Sequence, residues 1–240
     1  MLVCEHASNF IPPELHDLGL SPEVLRSHIA WDPGALPVAQ AMSERLDAVL
    51  VASQVSRLVY DCNRPPHAID AMPARSEIFD VPGNAGLDVL ERDLRTQLVY
   101  EPFRAAVSSV LAARSAAPAV LVTIHSFTPV YKGVRRDVEL GILCDRDARL
   151  ADEMLKLAPG LTSLDVRKNE PYGPVDGVTH TLIEHGLANS IPNVMIEIRN
   201  DLIVTAQQQS EMAGLLCELL SDAMQSLDIG AVRDPDQGAA

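Results

Sequence analysis

Two apolar runs of the sequence end in a histidine, a residue whose neutral imidazole suits metal binding. His6 closes the run "LVCEH", and His125 closes the run "VLVTIH". Two imidazoles and one carboxylate form the ligand set of a catalytic zinc site, which keeps a fourth position for water. The carboxylates near the ends of such runs are Glu5, Asp61 and Glu197, and Asp32, after "SHIAW", is a further candidate. This pattern predicts a site for metal-assisted hydrolysis.

The same pattern has a simpler interpretation, because an isolated histidine is more often a hydrogen-bonded core or surface residue. The candidate ligands lie far apart, and the sequence has no H-E-x-x-H motif to place two histidines on one helix. From their positions alone, both interpretations of His6 and His125 stay open.

A second polar group follows the run "RLVY", where Asn63 and Arg64 stand in "DCNRP" and Arg57 opens the run. A guanidinium grips a carboxylate through two parallel hydrogen bonds, and an asparagine amide adds a donor. Because Pro65 follows, the backbone of Arg64 is held extended. The group predicts a pocket for a substrate carboxylate, with a surface salt bridge as the alternative.

The run "VMIEIRND" places Glu197 and Arg199 on the same side of a strand, because side chains alternate along a strand. A glutamate beside a reacting water can act as general base and then as acid to the leaving amine. Glu197 is a candidate for that role and Arg199 a candidate for substrate binding, but an ion pair between them fits equally well. His180 follows a glycine-containing loop, where it either lines a pocket or caps a helix.

Strand-length apolar runs alternate with helical patterns along the chain, which predicts an α/β fold. Continuous runs such as "PAVLVTI" are typical of strands covered on both faces. We therefore expect one domain over residues 1–228, with a mainly parallel or mixed central sheet, and a flexible tail over residues 229–240. In such sheets ligands bind beyond the carboxyl ends of the strands, where the polar residues above are predicted to lie.

Three further segments carry specific expectations. Residues 88–116 show apolar residues at helical spacing and predict a long amphipathic helix with Pro102 as a candidate kink. Residues 64–86 are rich in Pro, Asp, Asn and Gly and predict a long loop. Residues 49–63 contain β-branched runs on either side of a break and predict one or two strands.

The composition and net charge indicate which classes of molecule the protein is expected not to bind. The 240 residues carry a formal net charge of −14, which disfavours binding to nucleic-acid phosphates. The four cysteines form no C-x-x-C pair, as is typical of free thiols in a reducing cytoplasm. The sequence shows neither a signal-peptide pattern nor an apolar run of membrane-spanning length. We therefore expect a cytoplasmic protein without nucleic-acid or membrane partners, and the sequence leaves the oligomeric state open.

Five motifs in order resemble the N-formylglutamate amidohydrolase family between residues 3 and 205: "EHASNFIP", "HIAWDPGA", "SRLVYDCNRP", "IHSFTP" and "IEIRND". The resemblance implies a three-layer phosphorylase/hydrolase-like α/β fold, related in layout to zinc carboxypeptidases. It also implies metal-dependent hydrolysis of an N-formyl amino acid. For N-formylglutamate the products are glutamate and formate, the last step of one route of histidine degradation.

The resemblance also implies roles for individual residues. Zn²⁺, or another divalent metal, would be held by His6, Asp32 and His125, with Glu5 as the alternative to Asp32. Glu197 would be the general base. The α-carboxylate of a small anionic N-acyl amino acid would be held by three residues, Arg57, Asn63 and Arg64. The candidates for a second substrate carboxylate are Arg135, Arg136 and Arg199.

One departure from the family pattern bears on the substrate. "EHAS" stands where the family usually has Pro-His-Ala-Gly, so the chain resembles a divergent member. Metal-dependent amide hydrolysis is therefore the firmer expectation, and N-formylglutamate is the more specific one. The alternatives are a deacylase or carboxypeptidase-like hydrolase for another N-acyl amino acid, and a non-catalytic small-molecule-binding protein.

Overall fold

A computed structural model gives the fold of residues 1–113 and 120–229, in which short strands alternate with helices. The strands are β1 (Leu2–Cys4), β2 (Leu50–Ala52), β3 (Arg75–Ser76), β4 (Phe79–Asp80), β5 (Leu121–Phe127), β6 (Val130–Tyr131), β7 (Val134–Arg135), β8 (Leu140–Leu143), β9 (Val166–Lys168) and β10 (Asn193–Arg199). The α-helices are α1 (Pro22–Arg26), α2 (Ala35–Leu46), α3 (Val89–Arg95), α4 (Glu101–Ala113), α5 (Arg149–Leu161) and α6 (Ala206–Ser226).

Six strands form one central sheet in the order β2-β1-β5-β10-β8-β9. The strands β2, β1, β5 and β10 run parallel, whereas β8 pairs antiparallel with β10 and β9 runs parallel to β8. Every residue of β5 and β10 is buried, which explains why the first half of β5 and the middle of β10 are rich in apolar residues. The prediction of an α/β fold with a mainly parallel or mixed sheet is confirmed.

The alternation of side chains separates the two faces of this sheet. Ile124 of β5 belongs to the core that α2, α5 and α6 cover, together with Leu216 of α6. Leu121 of β5 belongs to the opposite core, which α4 covers through Phe103. Side chains alternate between the two faces along a strand, so His125, four residues after Leu121, lies on the same face of the sheet as Leu121. The candidate site therefore faces the layer built by α4 and its neighbouring loops.

The helix predicted over residues 88–116 begins with a reciprocal cap. The side chains of Asp88 and Glu91 each accept from the other's backbone N–H at 2.9 Å. The expected irregularity precedes Pro102: a wide π-helical turn, Thr96–Tyr100, joins α3 to α4. This turn lies where the missing N–H of proline removes one helical hydrogen bond. The predicted last residues, 114–116, lie outside the described part of the chain.

One segment differs from its prediction. Residues 64–86 are not all loop, since β3 and β4 pair as a short antiparallel hairpin within them. The prediction of one or two strands in residues 49–63 is confirmed, because the first of the two runs forms one strand, β2. The second run leaves the sheet because Leu58 and Val59 are buried in a separate core with Val81.

Some expectations concern the chain as a whole. All four cysteines are free thiols, as expected, and Cys217 is the partly exposed one. No helix in residues 1–113 and 120–229 has the length and apolarity that crossing a bilayer requires. The predicted tail lies outside the described residues, apart from Ile229.

A substitution of Gly141 in β8 can test how closely the sheet is packed beside the candidate site. Gly141 stands opposite Glu197, and an added Cβ would clash with the carbonyl oxygen of Glu170 and lie 3.1 Å from the Glu197 Cβ. We expect Gly141→Ala to lower the free energy of unfolding by about 1–3 kcal/mol, measured by urea denaturation. The matched control is Gly160→Ala in α5, where nothing lies within 4 Å. Equal stability of the two variants would contradict close packing at Gly141.

Candidate active site

The polar strand-end residues converge at one edge of the sheet. Glu5 and His6 directly follow β1, His125 lies in β5, and Glu197 of β10 pairs with His125 in register. Asp32 reaches the same edge from the loop after α1, where its backbone N–H donates to the carbonyl of His6 at 2.9 Å. A cavity of about 370 Å³ opens there, as the strand-end rule predicts.

Three side-chain atoms meet at the bottom of this cavity. The Nδ1 atoms of His6 and His125 lie 3.2 Å apart, and Asp32 Oδ2 lies 3.2 Å from the first and 3.0 Å from the second. All three side chains are buried. The backbone N–H of Ser126 also donates to Asp32 Oδ2 at 3.2 Å and so orients the carboxylate.

The outer nitrogen of each imidazole faces a second carboxylate. His6 Nε2 lies 2.7 Å from Asp61 Oδ1, and His125 Nε2 lies 3.1 Å from Glu5 Oε2. Each imidazole therefore stands between two carboxylates, with Asp32 at Nδ1 and Asp61 or Glu5 at Nε2. Because an ionised carboxylate only accepts, a bound cation would take the place of the proton that an Nδ1 otherwise shares with Asp32. Glu5 thus stands behind His125, and Asp32 is the carboxylate that joins the two Nδ1 atoms.

Mutual attraction keeps these groups charged despite their burial. Burial raises the pKa of the Asp61 carboxyl, but His6 and Arg57 outweigh this effect and hold the pKa well below its usual range. Burial lowers the pKa of the His125 imidazole, but Glu5 and Asp32 together outweigh this effect and hold the pKa well above its usual value. The site therefore presents ionised carboxylates behind its imidazoles and favours a cation at its centre.

Glu197 differs from the other carboxylates of the site, because among the described residues it makes no close ionic contact with an imidazole or a guanidinium. The residue is 5% exposed, and its Oε2 atom accepts no hydrogen bond from the described residues. Burial raises the pKa of Glu197 to about 7, with a smaller lowering by His125 and a further raising by Asp32. A carboxyl group with a pKa near neutrality can both take up and release a proton at the pH where most enzymes work.

Arg57 offsets part of the negative charge of the site. Its Nη2 donates to Asp61 Oδ2 at 2.8 Å and its Nη1 to Asp32 Oδ1 at 3.4 Å. These carboxylates raise the pKa of the guanidinium although burial lowers it. Arg57 lines the cavity, so it offers positive charge both to the site and to a bound molecule.

Asn63 and Arg64 also line the cavity, but both side chains already hold the loop opposite. The Asn63 amide donates to the carbonyl of Val178. The Arg64 guanidinium donates to the carbonyl of Gly177 at 2.9 Å and to Asp70 Oδ2 at 2.7 Å. Both residues therefore shape the cavity wall in the absence of a ligand.

Arg199 and His180, predicted to bind substrate, are not brought to the cavity. Arg199 stands at the end of β10, where its guanidinium donates to Asp201 at 2.8 Å and to Glu139 at 3.1 Å. His180 Nε2 lies 2.7 Å from the hydroxyl of Tyr100, and burial lowers the pKa of the ring. Their positions do not support the two predicted roles, and we do not propose them further.

Sequence reasoning gave no role to two residues that the structure places at the site. Asp61 follows the run "RLVY" and was singled out with Asn63 and Arg64 as a polar residue at a strand end, but no role was assigned to it. Tyr172 lies in a loop whose path the sequence does not indicate. Its hydroxyl accepts from Arg136 Nη2 at 2.8 Å, and the Arg136 guanidinium lies 4.5 Å from the ring centre of Tyr131. These rings form one wall of the cavity.

Comparisons with known proteins agree with this architecture. A family model described as N-formylglutamate amidohydrolase matches residues 1–204. The crystal structure of gene product Atu2144 from Agrobacterium tumefaciens is 57% identical with a TM-score of 0.93, over 95% of this chain and 91% of that chain. The crystal structure of N-formylglutamate amidohydrolase from Ralstonia eutropha JMP134 is 20% identical with a TM-score of 0.62, over 94% of each chain. The second likeness shows the fold alone. No curated protein sequence matches the chain.

The raised pKa of Glu197 predicts how the free energy of unfolding depends on pH. Its folded-state pKa of about 7 exceeds the ordinary value of 4.5. The folded protein therefore holds the proton longer than the unfolded chain, and stability falls as the pH rises between these values. We expect Glu197→Gln to be more stable than the wild type by roughly 1–3 kcal/mol near pH 8, with a smaller gain near pH 5.

Urea unfolding in the presence of a chelator measures this difference at both pH values. Glu218→Gln in α6 is the matched control, because this glutamate is exposed and its replacement should change stability at neither pH. A gain for Glu197→Gln that does not depend on pH would contradict the assigned ionisation.

Proposed function

Because the chain belongs to the N-formylglutamate amidohydrolase family, we propose that it is a metal-dependent amidohydrolase that removes an N-formyl or another N-acyl group from an amino acid. N-formylglutamate is the first candidate substrate, and zinc is the first candidate metal. The observation that supports metal dependence is the convergence of three acceptor atoms, His6 Nδ1, His125 Nδ1 and Asp32 Oδ2.

These atoms fit a divalent ion in number, chemistry and spacing. Two atoms that share a tetrahedral zinc ion, with bonds of about 2.0–2.1 Å, lie about 3.3–3.4 Å apart. The separations of 3.2, 3.2 and 3.0 Å at this site are close to that value. Three protein ligands are also the number found in catalytic zinc sites. The carboxylates behind the imidazoles match the usual surroundings of metal-ligating histidines.

When bound, zinc supplies polarisation of the acyl carbonyl and activation of a water molecule. The side chains of the cavity perform the remaining steps. Glu197 Oε2 takes the proton of the attacking water and then gives it to the nitrogen of the leaving amine. Arg57 offsets the charge of Asp32 and Asp61, so that an anionic substrate is not repelled.

We assign the substrate's α-carboxylate to Arg64. This guanidinium is 11% exposed and is held in place by the carbonyl of Gly177, whereas its carboxylate partner Asp70 is 61% exposed. A substrate carboxylate can therefore exchange with Asp70 at little cost in burial. Asn63 would act indirectly, by holding the loop through Val178.

One observation favours other N-acyl amino acids as the second candidate class of substrate. The arginines that line the cavity, Arg57, Arg64 and Arg75, are each paired with a carboxylate of the protein. The second carboxylate of N-formylglutamate would have to compete with one of these pairs. A substrate with a single carboxylate needs only the exchange with Asp70 at Arg64 and leaves the other two pairs intact.

Metal content tests the ligand set. We expect zinc-loaded wild type to retain about one ion per chain after dialysis, and His125→Ala to lose it because one ligand is missing. Asp61→Asn removes only an outer carboxylate and should lower zinc affinity by about 10–100-fold. The matched control is His67→Ala, a change of an exposed histidine outside the cavity. Unchanged zinc content in His125→Ala, measured by elemental analysis, would contradict the proposed site.

Activity tests the role of Glu197. We expect the zinc-loaded wild type to release formate or another acid from a panel of N-acyl amino acids. Glu197→Gln should lower kcat by about 10²–10⁴-fold with zinc content unchanged, because it removes the proton acceptor. Glu218→Gln is again the control. Full activity of Glu197→Gln would exclude the general-base role, and no hydrolysis of any panel member by wild type would overturn the proposed function.

A further inference from the structure

The ring and the hydroxyl of Tyr172 contact two different levels of the sheet. The ring packs against a small core that contains Met195 of β10. The hydroxyl accepts from Arg136, whose guanidinium lies 5.5 Å from the ring centre of Phe127 at the end of β5. In the register of these parallel strands, Glu197 stands between the level of Met195 and the level of Phe127, on the same face. Tyr172 therefore crosses the cavity face of the sheet at the level of the candidate general base.

The backbone before Tyr172 supports this position. The carbonyl oxygen of Glu170 would clash with a Cβ on Gly141, and the Cβ of Glu197 lies 3.1 Å from the same point. The loop thus rests on the sheet directly beside Glu197. Tyr172 follows two residues after Glu170 and lines the cavity together with Glu197.

The hydroxyl of Tyr172 has a proton to offer. Among the described residues its one hydrogen bond is the one that it accepts from Arg136, so its own O–H is available to a bound molecule. Burial and the charge of Glu197 raise the pKa of Tyr172 to about 12, although Arg136 and Arg57 lower it. The hydroxyl is therefore a hydrogen-bond donor at neutral pH.

Arg136 places a positive charge behind this hydroxyl. In the part of the chain that the structure describes, its guanidinium donates to Tyr172 and to the carbonyl of Thr128 at 3.3 Å, and it forms no ion pair with a carboxylate. The arginines that line the cavity differ in this respect, because each is paired with a carboxylate. A donor polarised by a cation that no carboxylate neutralises is suited to receive negative charge.

We propose that Tyr172 donates a hydrogen bond to the oxyanion that forms when water attacks the acyl carbon, and that Arg136 positions and polarises this hydroxyl. The inference rests on the amidohydrolase function proposed above. Glu197 takes a proton from the water as the new C–O bond forms, and the electron pair of the carbonyl double bond moves onto its oxygen. Tyr172 keeps its own proton while stabilising that oxygen. Glu197 then gives its proton to the leaving amine as the C–N bond breaks.

The position of Tyr172 favours the acyl oxygen over a side-chain carboxylate of the substrate. A general base must lie within hydrogen-bond reach of the water that attacks the acyl carbon. Because Tyr172 lies at the level of Glu197, its hydroxyl is close to the reacting carbon. The side-chain carboxylate of N-formylglutamate is several bonds away from that carbon.

Kinetics of Tyr172→Phe, which removes the hydroxyl and keeps the ring, tests this role. We expect the zinc-loaded variant to lose about 10²–10³-fold in kcat with KM little changed, on N-formylglutamate and on N-formylmethionine alike. The matched control is Tyr60→Phe, which removes a core hydroxyl that has no hydrogen-bond partner among the described residues and should keep full activity. A loss confined to N-formylglutamate would assign Tyr172 to the side-chain carboxylate and overturn the proposal.

Binding of a tetrahedral analogue gives a readout that does not depend on turnover. The probe is a phosphonamidate of glutamate, in which a methylphosphonyl group replaces the formyl group and presents its oxygens where the oxyanion would form. By calorimetry, we expect Tyr172→Phe to bind this probe about 10²–10³-fold more weakly and to bind glutamate with unchanged affinity. An equal loss for the probe and for glutamate would contradict a role confined to the transition state.

A double-mutant cycle tests the positioning role of Arg136. Arg136→Met removes the donor and the charge and should lower kcat by roughly 10-fold, whereas Arg136→Lys should restore most of the activity. In a Tyr172→Phe background, Arg136→Met should have little further effect, because no hydroxyl is left to position. A loss of the same size in both backgrounds would exclude action through Tyr172.

Activity of the wild type separates this role from the proposed function. A wild type that hydrolyses no N-acyl amino acid overturns the amidohydrolase function and the role of Tyr172 with it. An active wild type, together with a Tyr172→Phe variant of equal kcat, overturns the role of Tyr172 alone.

Discussion

Two contacts between a buried carboxylate and an imidazole determine the arrangement of the site. Asp61 and Glu5 each face the Nε2 atom of one histidine, and this turns the Nδ1 atoms of His6 and His125 toward each other. The two Nδ1 atoms lie 3.2 Å apart and both neighbour Asp32 Oδ2, so a proton or another cation is needed among these three atoms. The site is therefore built around a positive charge.

The sheet makes this concentration of charge possible. Adjacent parallel strands lie about 4.8 Å apart and end at the same edge, so residues at the ends of β1 and β5 meet without a special loop. Buried carboxylates are costly when unpaired, and removing one partner of a buried pair costs roughly 3–5 kcal/mol. Arg57 and the imidazoles balance most of them. Glu197 lacks such a partner among the described residues. Its burial makes the ionised form costly, and this cost raises its pKa to about 7, where it can exchange a proton.

The sequence indicated these strand ends because apolar runs are easy to recognise and the polar residue after each run is conspicuous. His6, His125 and Glu197 were found in this way. Asp32 was a further candidate at the end of a helical turn, and the resemblance to a family selected it as the ligand. The sequence could not show that Arg199 turns toward Glu139, since that depends on the tertiary path of the chain into β8. The sequence also could not show whether Glu5 or Asp32 is the metal ligand. Glu5 lies at Nε2 of His125 and Asp32 at Nδ1, and the sequence does not indicate which nitrogen faces the centre of the site.

The most direct test of the account is anomalous X-ray diffraction at the zinc absorption edge from crystals of the zinc-loaded protein. We expect one strong peak within about 2.0–2.2 Å of His6 Nδ1, His125 Nδ1 and a carboxylate oxygen of Asp32. The Nε2 atoms should still face Asp61 and Glu5. A peak coordinated by either Nε2 atom, or by Glu5 in place of Asp32, would contradict the claim that the outer carboxylates turn both Nδ1 atoms toward the metal.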